Sequence, residues 1–267
     1  MLFRSIIPPL IVYLLFVFVV NALGFIHLTP QDWLASGTLT VCFLPNIGKP
    51  WEIGHLWSLS VEEHFYIIWP FIFFIFKPIK SVKILAGYLF LVPLLRYVLW
   101  HADMPNLQYN FCSPTQMGSI AIGCLAAFMV NGYIFKGLNF RIRKYPNFTI
   151  ISSFILLILS LIMSDKSYRY NIALKDPVNA LAFALLMISI LYGEKYLIHK
   201  VMNHKLLTSI GVLSYSIYLW QQPFTTTGFL ADRPISFVFN ILIILVIAII
   251  SRFVIEIPFI KLKAKFV

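Results

Sequence analysis

Apolar runs long enough to cross a lipid bilayer recur eight times along the chain, at about 5–26, 55–76, 84–100, 113–131, 147–164, 177–193, 206–223 and 235–255. A spanning helix needs about 20 mostly apolar residues. The clearest run is Ile235–Ile250, broken only by Ser236 and Asn240, and the least clear begins near His55, because Glu62, Glu63 and His64 lie inside it. Lipid offers no partners for backbone N–H and C=O groups, so each run must satisfy them internally, as a helix does. The expectation is therefore an all-α, polytopic transmembrane helical bundle of about eight spans, forming one domain over residues 1–267. Composition agrees, with 60% of residues apolar and 12% charged. A soluble domain carries about a quarter charged residues, and a globule of this length lacks the core volume to hide so many apolar side chains.

The formal charge of +11 does not point to nucleic acid, because the basic residues fall in short clusters between apolar runs and build no continuous basic face. They sort instead by side of the membrane. With alternate gaps assigned to alternate sides, fourteen Lys and Arg fall on the side of Arg4, the Lys77–Lys83 turn, the Lys136–Lys144 loop, the gap with Lys195, Lys200 and Lys205, and the C-terminal lysines. Five fall on the other side, among them Lys49 and Arg233. Lys and Arg favour the cytoplasmic side, so both termini are expected there. Lys166, Arg169 and Lys175 run against the rule. Cys42, Cys112 and Cys124 give neither a disulfide framework nor a zinc spacing, and no metal site is expected.

Charged residues inside spans are costly and usually face the bundle interior. The richest group is Trp57-Ser58-Leu59-Ser60-Val61-Glu62-Glu63-His64-Phe65-Tyr66. On a helix Leu59, Glu62 and Tyr66 share one face, and Ser60, Glu63 and His64 another. Adjacent residues point about 100° apart, so only one of the two carboxylates readily faces a central site. A buried Glu beside Ser hydroxyls can orient a substrate hydroxyl or hold a proton; the plain alternative is a pair of solvated charges at the outer interface. Arg96 has three readings: it binds an anion, pairs with Glu62, or snorkels to the interface. Arg252 and Glu256 have i,i+4 spacing and read as an ion pair. His55 and the other segment-end histidines read as water-exposed, and Trp33, Trp51, Trp57, Trp69, Trp100 and Trp220 as an interfacial belt. This chemistry alone does not separate an enzyme from a transporter.

The segment Leu56-Trp57-Ser58-Leu59-Ser60-Val61-Glu62-Glu63-His64-Phe65-Tyr66-Ile67-Ile68-Trp69-Pro70 resembles the signature of the acyltransferase family 3 membrane proteins, L-W-S-L-S-V-E-E-Q-F-Y-L-x-W-P. Weaker likenesses follow in the family's order. Pro114–Gly123 is similar to P-T-R-x-D-x-L-x-x-G, Ile210–Trp220 to L-G-x-x-S-Y-x-x-Y-L-W, and Glu256-Ile257-Pro258 to the closing E-x-P. Arg4, Ile7 and Pro8 resemble the entry to the family's third helix. Gln116 and Gly118 replace the Arg and Asp of the middle motif, Gln221 stands where a His is usual, and His64 replaces the usual Gln.

The resemblance implies a multi-pass protein of a bacterial inner membrane that moves an acyl group, acetyl above all, from cytoplasmic acyl-CoA to a hydroxyl of a cell-surface or exported carbohydrate. It implies polysaccharide O-acetylation, acyl-CoA as donor with no resident cofactor, and the lipid bilayer and a carbohydrate acceptor as partners. Glu62 would position the acceptor or the base, with Ser58 and Ser60 hydrogen-bonding around that centre and Arg96, Glu63 and Tyr66 contacting substrate. The family's first helix carries the His regarded as catalytic, and here Met1 stands where the third helix is expected. That leads to the expectation of an N-terminally shortened domain lacking its base, which works with a full-length homologue or a second copy. The alternatives are a non-catalytic degenerate paralogue, which the changes at 116, 118 and 221 favour, and a transporter. A transporter would want broken helices in two related halves, and the sequence shows no such symmetry.

Overall fold

In the computed structural model, which describes residues 3–44, 50–102, 112–192, 197–225 and 237–264, every regular element is helical. Lys49, Lys195, Arg233 and Lys265 of the charge pattern, and the first two residues of the last apolar run, lie outside the described residues. Five helical segments are long and apolar enough to cross a membrane: Trp51–Ile75, Pro78–His101, Pro146–Lys166, Lys175–Tyr192 and Val238–Leu262. Ile6–Ala22 and Gly118–Val130 are shorter apolar helices, and the run at 206–223 forms the 16-residue helix Lys205–Trp220. Phe74 and Phe90 are 90% and 88% exposed. Water would penalise such outward phenylalanines at about 25 cal/mol per Å², whereas lipid does not. The chain is an all-α, multi-pass membrane protein.

Local chemistry sets the helix ends. Thr29 accepts from the Asp32 backbone N–H while Asp32 accepts from the Thr29 N–H, a reciprocal capping box with Pro30 in the first turn. Pro78 and Pro146 likewise open long helices, where a missing N–H costs nothing. The run at 113–131 is not the single helix its hydropathy suggests. A short helix, Ser113–Gln116, precedes Gly118–Val130. A Cβ at Gly118 would meet Leu89 and Val92 of Pro78–His101 at 3.7 Å, an ordinary packing distance, so the two helices face each other here across apolar side chains.

The chain forms two compact units. One comprises Cys42–Asn46 and Trp57–Asn203, and it holds most of the signature helix Leu56–Ile75. Its core packs Val61, Phe65, Leu85, Met117 and Ala121, with Trp57, Tyr66 and Trp69 against them. The other comprises Met1–Val41, Ile47–Leu56 and His204–Val267. There the last helix passes through a π-helical stretch, Ser251–Glu256, into Ile257–Ala264. Pro258 has no N–H to return to the preceding turn, and the ladder widens just before it.

The Arg252–Glu256 pair expected from spacing forms, along this stretch. Glu256 is 2% exposed and also accepts from the buried Ser216 hydroxyl. Ser216→Ala should therefore cost about 1–3 kcal/mol, the penalty for an orphaned partner of a buried group. Thermal unfolding in detergent would measure it, and an unchanged midpoint would mean that Arg252 alone satisfies Glu256.

Candidate functional site

Leu56–Ile75 carries the signature as one helix, with Pro70 inside it. Ser58, Glu62 and Tyr66 follow at intervals of four and are all half-buried, so they form a stripe along one face. Leu59, expected on the face of Glu62, is buried, as are Ser60, Val61 and Phe65. Glu63 is 1% exposed, and neither of its carboxylate oxygens has a hydrogen-bond partner among the described residues. The picture of two solvated interfacial carboxylates therefore fails for Glu63, which is sealed away from water. Its inaccessibility also means that it offers no open oxygen to a substrate in this conformation.

The snorkelling and Glu62-pairing readings of Arg96 are both corrected. Arg96 is 2% exposed and pairs with Asp176 at 2.7 Å. Its guanidinium donates twice to the Thr115 carbonyl, at 3.1 and 2.8 Å, and once to the Ile172 carbonyl at 3.3 Å. Five donors in a fixed fork are what such a junction needs, and from near the C-terminal end of Pro78–His101 the side chain turns inward to these partners rather than out to the interface. Arg96 thus ties three segments together, and two of its partners, Ile172 and Asp176, line a polar cleft of about 420 Å³ with Trp57, Gln116, Tyr168, Asn171 and Lys175. Trp57 brings the signature to this cleft and Gln116 brings the middle motif. Two aromatic rings, two amides, an ammonium and a carboxylate around one hollow suit a polyhydroxylated ligand, which has apolar C–H faces and hydroxyl edges. Among the described residues no three His, Cys, Asp or Glu side chains converge as a metal site would require.

The acyltransferase-3 family model, described as an acyltransferase domain, matches residues 3–258. The chain belongs to the acyltransferase-3 family. It is 31% identical over 183 residues to the O-acetyltransferase OatA of Staphylococcus aureus, an alignment covering 64% of this chain and 29% of that protein. Against the peptidoglycan O-acetyltransferase OatA of Listeria monocytogenes it is 25% identical over 194 residues, covering 70% and 31%. The chain thus spans under a third of these relatives' length. No solved structure matches it.

The family's late motif now has a physical account within the second unit. Tyr215 donates to the Ile6 carbonyl at 2.8 Å, and Tyr218 donates to the His55 carbonyl. Gln222 donates to the Trp51 carbonyl at 2.8 Å, and the Trp51 indole donates back to the Gln222 carbonyl at 3.1 Å. His55 and Trp220 are corrections: they are 8% and 7% exposed, each packed edge-on against the Tyr13 ring, rather than solvated or in a belt. End-of-segment position misled, because a short helix, Trp51–Gly54, leads directly into the signature helix. The family motif's Asp is replaced by Gly118 where the neighbours are the apolar Leu89 and Val92, so an ionised group there would be stranded. Sequence reasoning missed Lys175, Asn171 and Tyr168. Tyr168 and Asn171 sit on a short helix, Tyr168–Ala173, and Lys175 opens the next one, Lys175–Tyr192, without a motif, and only the Lys against the charge rule marks the place.

Proposed function

We propose that this chain is the membrane part of an O-acyltransferase that moves an acetyl group from a cytoplasmic acyl-CoA to a hydroxyl of a surface carbohydrate. Glycan strands of peptidoglycan are the leading acceptor, because a relative named for that activity aligns over 70% of the chain. The reading places it in a bacterial inner membrane with both termini in the cytoplasm. The observation that carries it, beside family membership, is the polar cleft that Trp57 of the signature shares with Gln116, Asn171, Lys175 and Asp176. Trp57 and Tyr168 supply faces for a sugar ring, and the polar groups supply its hydroxyl partners. Glu62 acts as a positioning residue for the acceptor or for the base, helped by Ser58, Ser60 and Tyr66. Arg96 acts through Asp176 rather than by touching substrate. A full-length homologue or a second copy of the chain is the partner this reading allows.

The test is a membrane preparation given labelled acetyl-CoA and muramyl glycan fragments, read as base-labile acetyl ester on the sugar. Trp57→Ala should raise the acceptor KM about tenfold, a loss of about 1.4 kcal/mol of binding, and leave the KM for acetyl-CoA in place. Movement of glycan without ester formation would replace the enzyme with the transporter reading. Ester formation with an unchanged acceptor KM in Trp57→Ala would remove the cleft from the account.

A further inference from the structure

His64 is the one polar position of the signature that departs from the family form, and the structure gives it a partner. Its Nδ1 lies 2.6 Å from Ser113 Oγ. Cys42 Sγ is 3.3 Å from the same oxygen and 4.0 Å from the ring nitrogen. Ser113 is 3% exposed, and it and His64 are among the residues that line a cavity of about 480 Å³. The rest of that wall is apolar, with Phe65, Ile68, Leu85 and Met117 among its residues. Ile68 and Ile84, on its rim, are 50% and 37% exposed. A hydroxyl within 2.6–3.2 Å of an imidazole is the arrangement that activates a serine nucleophile. Small-molecule sites have volumes of about 300–1,000 Å³, far more than the two carbons of an acetyl group occupy. A polar pair at the wall of an otherwise apolar hollow matches one kind of ligand, a reactive carbonyl carrying a hydrocarbon tail.

We propose that Ser113 and His64 form a covalent acyl-transfer pair whose apolar cavity receives an acyl chain of several carbons. The inference rests on the acyl-transfer reading of the chain and extends it to a second, longer-chain donor. Ser113 Oγ attacks the carbonyl of an acyl thioester while His64 Nδ1 takes the hydroxyl proton, which requires the ring's other nitrogen to carry its proton. The C–S bond breaks, and the thiolate leaves with the proton that His64 returns. An acyl ester on Ser113 remains. An acceptor alcohol then attacks that ester, giving its proton to His64 and so to Ser113 Oγ. No oxidant or reductant enters.

The experiment uses the full-length protein in lipid nanodiscs, mixed with octanoyl-CoA or acetyl-CoA, quenched in acid and read by peptide mass spectrometry. The expected result is an octanoyl ester, labile to hydroxylamine, on the peptide that contains Ser113. It should be absent in Ser113→Ala. In His64→Gln, which keeps a hydrogen-bonding group opposite Ser113 but no base, the ester should form about 10²-fold more slowly. Ile68→Trp, which narrows the cavity one helical turn from His64, should slow octanoyl loading more than acetyl loading, and this arm does not depend on how Ser113→Ala folds. Acetylation of a glycan acceptor while Ser113 stays unmodified would overturn the pair and leave the proposed function standing. An ester on Cys42, or His64→Gln loading at the wild-type rate, would also overturn it. Neither an adduct nor acceptor acylation would take down both readings together.

Discussion

Arg96→Met is expected to destabilise the folded protein by about 3–5 kcal/mol, the cost of breaking a buried pair from one side. The Met side chain fills much of the volume, so the loss is one of bonds rather than of packing. Three donor contacts to the Thr115 and Ile172 carbonyls disappear along with the ion pair. Each buried carbonyl left without a partner costs about 1–3 kcal/mol, and surrounding lipid supplies no substitute. In Arg96→Met the Asp176 side chain left behind is 37% exposed and recovers part of its loss from water; in Asp176→Asn the buried guanidinium keeps its three carbonyl contacts and an amide oxygen to donate to, so that change should cost less, about 1–2 kcal/mol. Arg96→Lys should fall between, because a single ammonium cannot reach both carbonyls and the carboxylate. Thermal unfolding of the three variants in one detergent orders them. If Arg96→Met unfolds at the wild-type temperature but loses acceptor binding, the guanidinium serves a ligand and not the frame.

This clamp marks where sequence stops being legible. The helices themselves are readable, since among the described residues each apolar run is largely helical, the one at 113–131 as two helices, and the Arg252–Glu256 pair forms at its i,i+4 spacing. Both are local properties, set by hydropathy along the chain and by the turn of one helix. The partner of Arg96 is eighty residues away, and no periodicity encodes such a distance. Position along a span suggested that Arg96 reaches outward, but direction is decided by the neighbours that a helix meets. His64 shows the same limit. On its own helix it lies on a different face from Glu62, and the partner its ring meets, Ser113, is forty-nine residues away on another segment. The motifs fared better than their physical readings. Tyr215 and Tyr218 fit their motif because their hydroxyls reach carbonyls across the unit, which residue type alone does not disclose.

Glu62 and Glu63 should separate function from stability. Glu63 is buried without a partner for either oxygen among the described residues, and a buried polar group in that state costs about 1–3 kcal/mol. Glu63→Leu, close in volume and free of polar atoms, is expected to raise stability by about that amount. Glu62 is half-buried, and Glu62→Gln, which keeps the shape of the side chain, should change stability by no more than about 0.5 kcal/mol. Activity is expected to move the other way. Glu62→Gln should lower acetyl transfer to the glycan about 10²-fold, the scale for removing a group that orients or relays a proton. Glu63→Leu should lower it too, since an ionisable group kept in a span at a folding cost is retained for what it does. The paired readout is acetyl ester formed per folded molecule, with folded protein counted by unfolding midpoint and yield. Full activity in a stabilised Glu63→Leu would leave its burial without a functional reason. Full activity in Glu62→Gln would return that residue to a charge that orients the signature helix, and acceptor positioning would then rest on Trp57 and the cleft behind it.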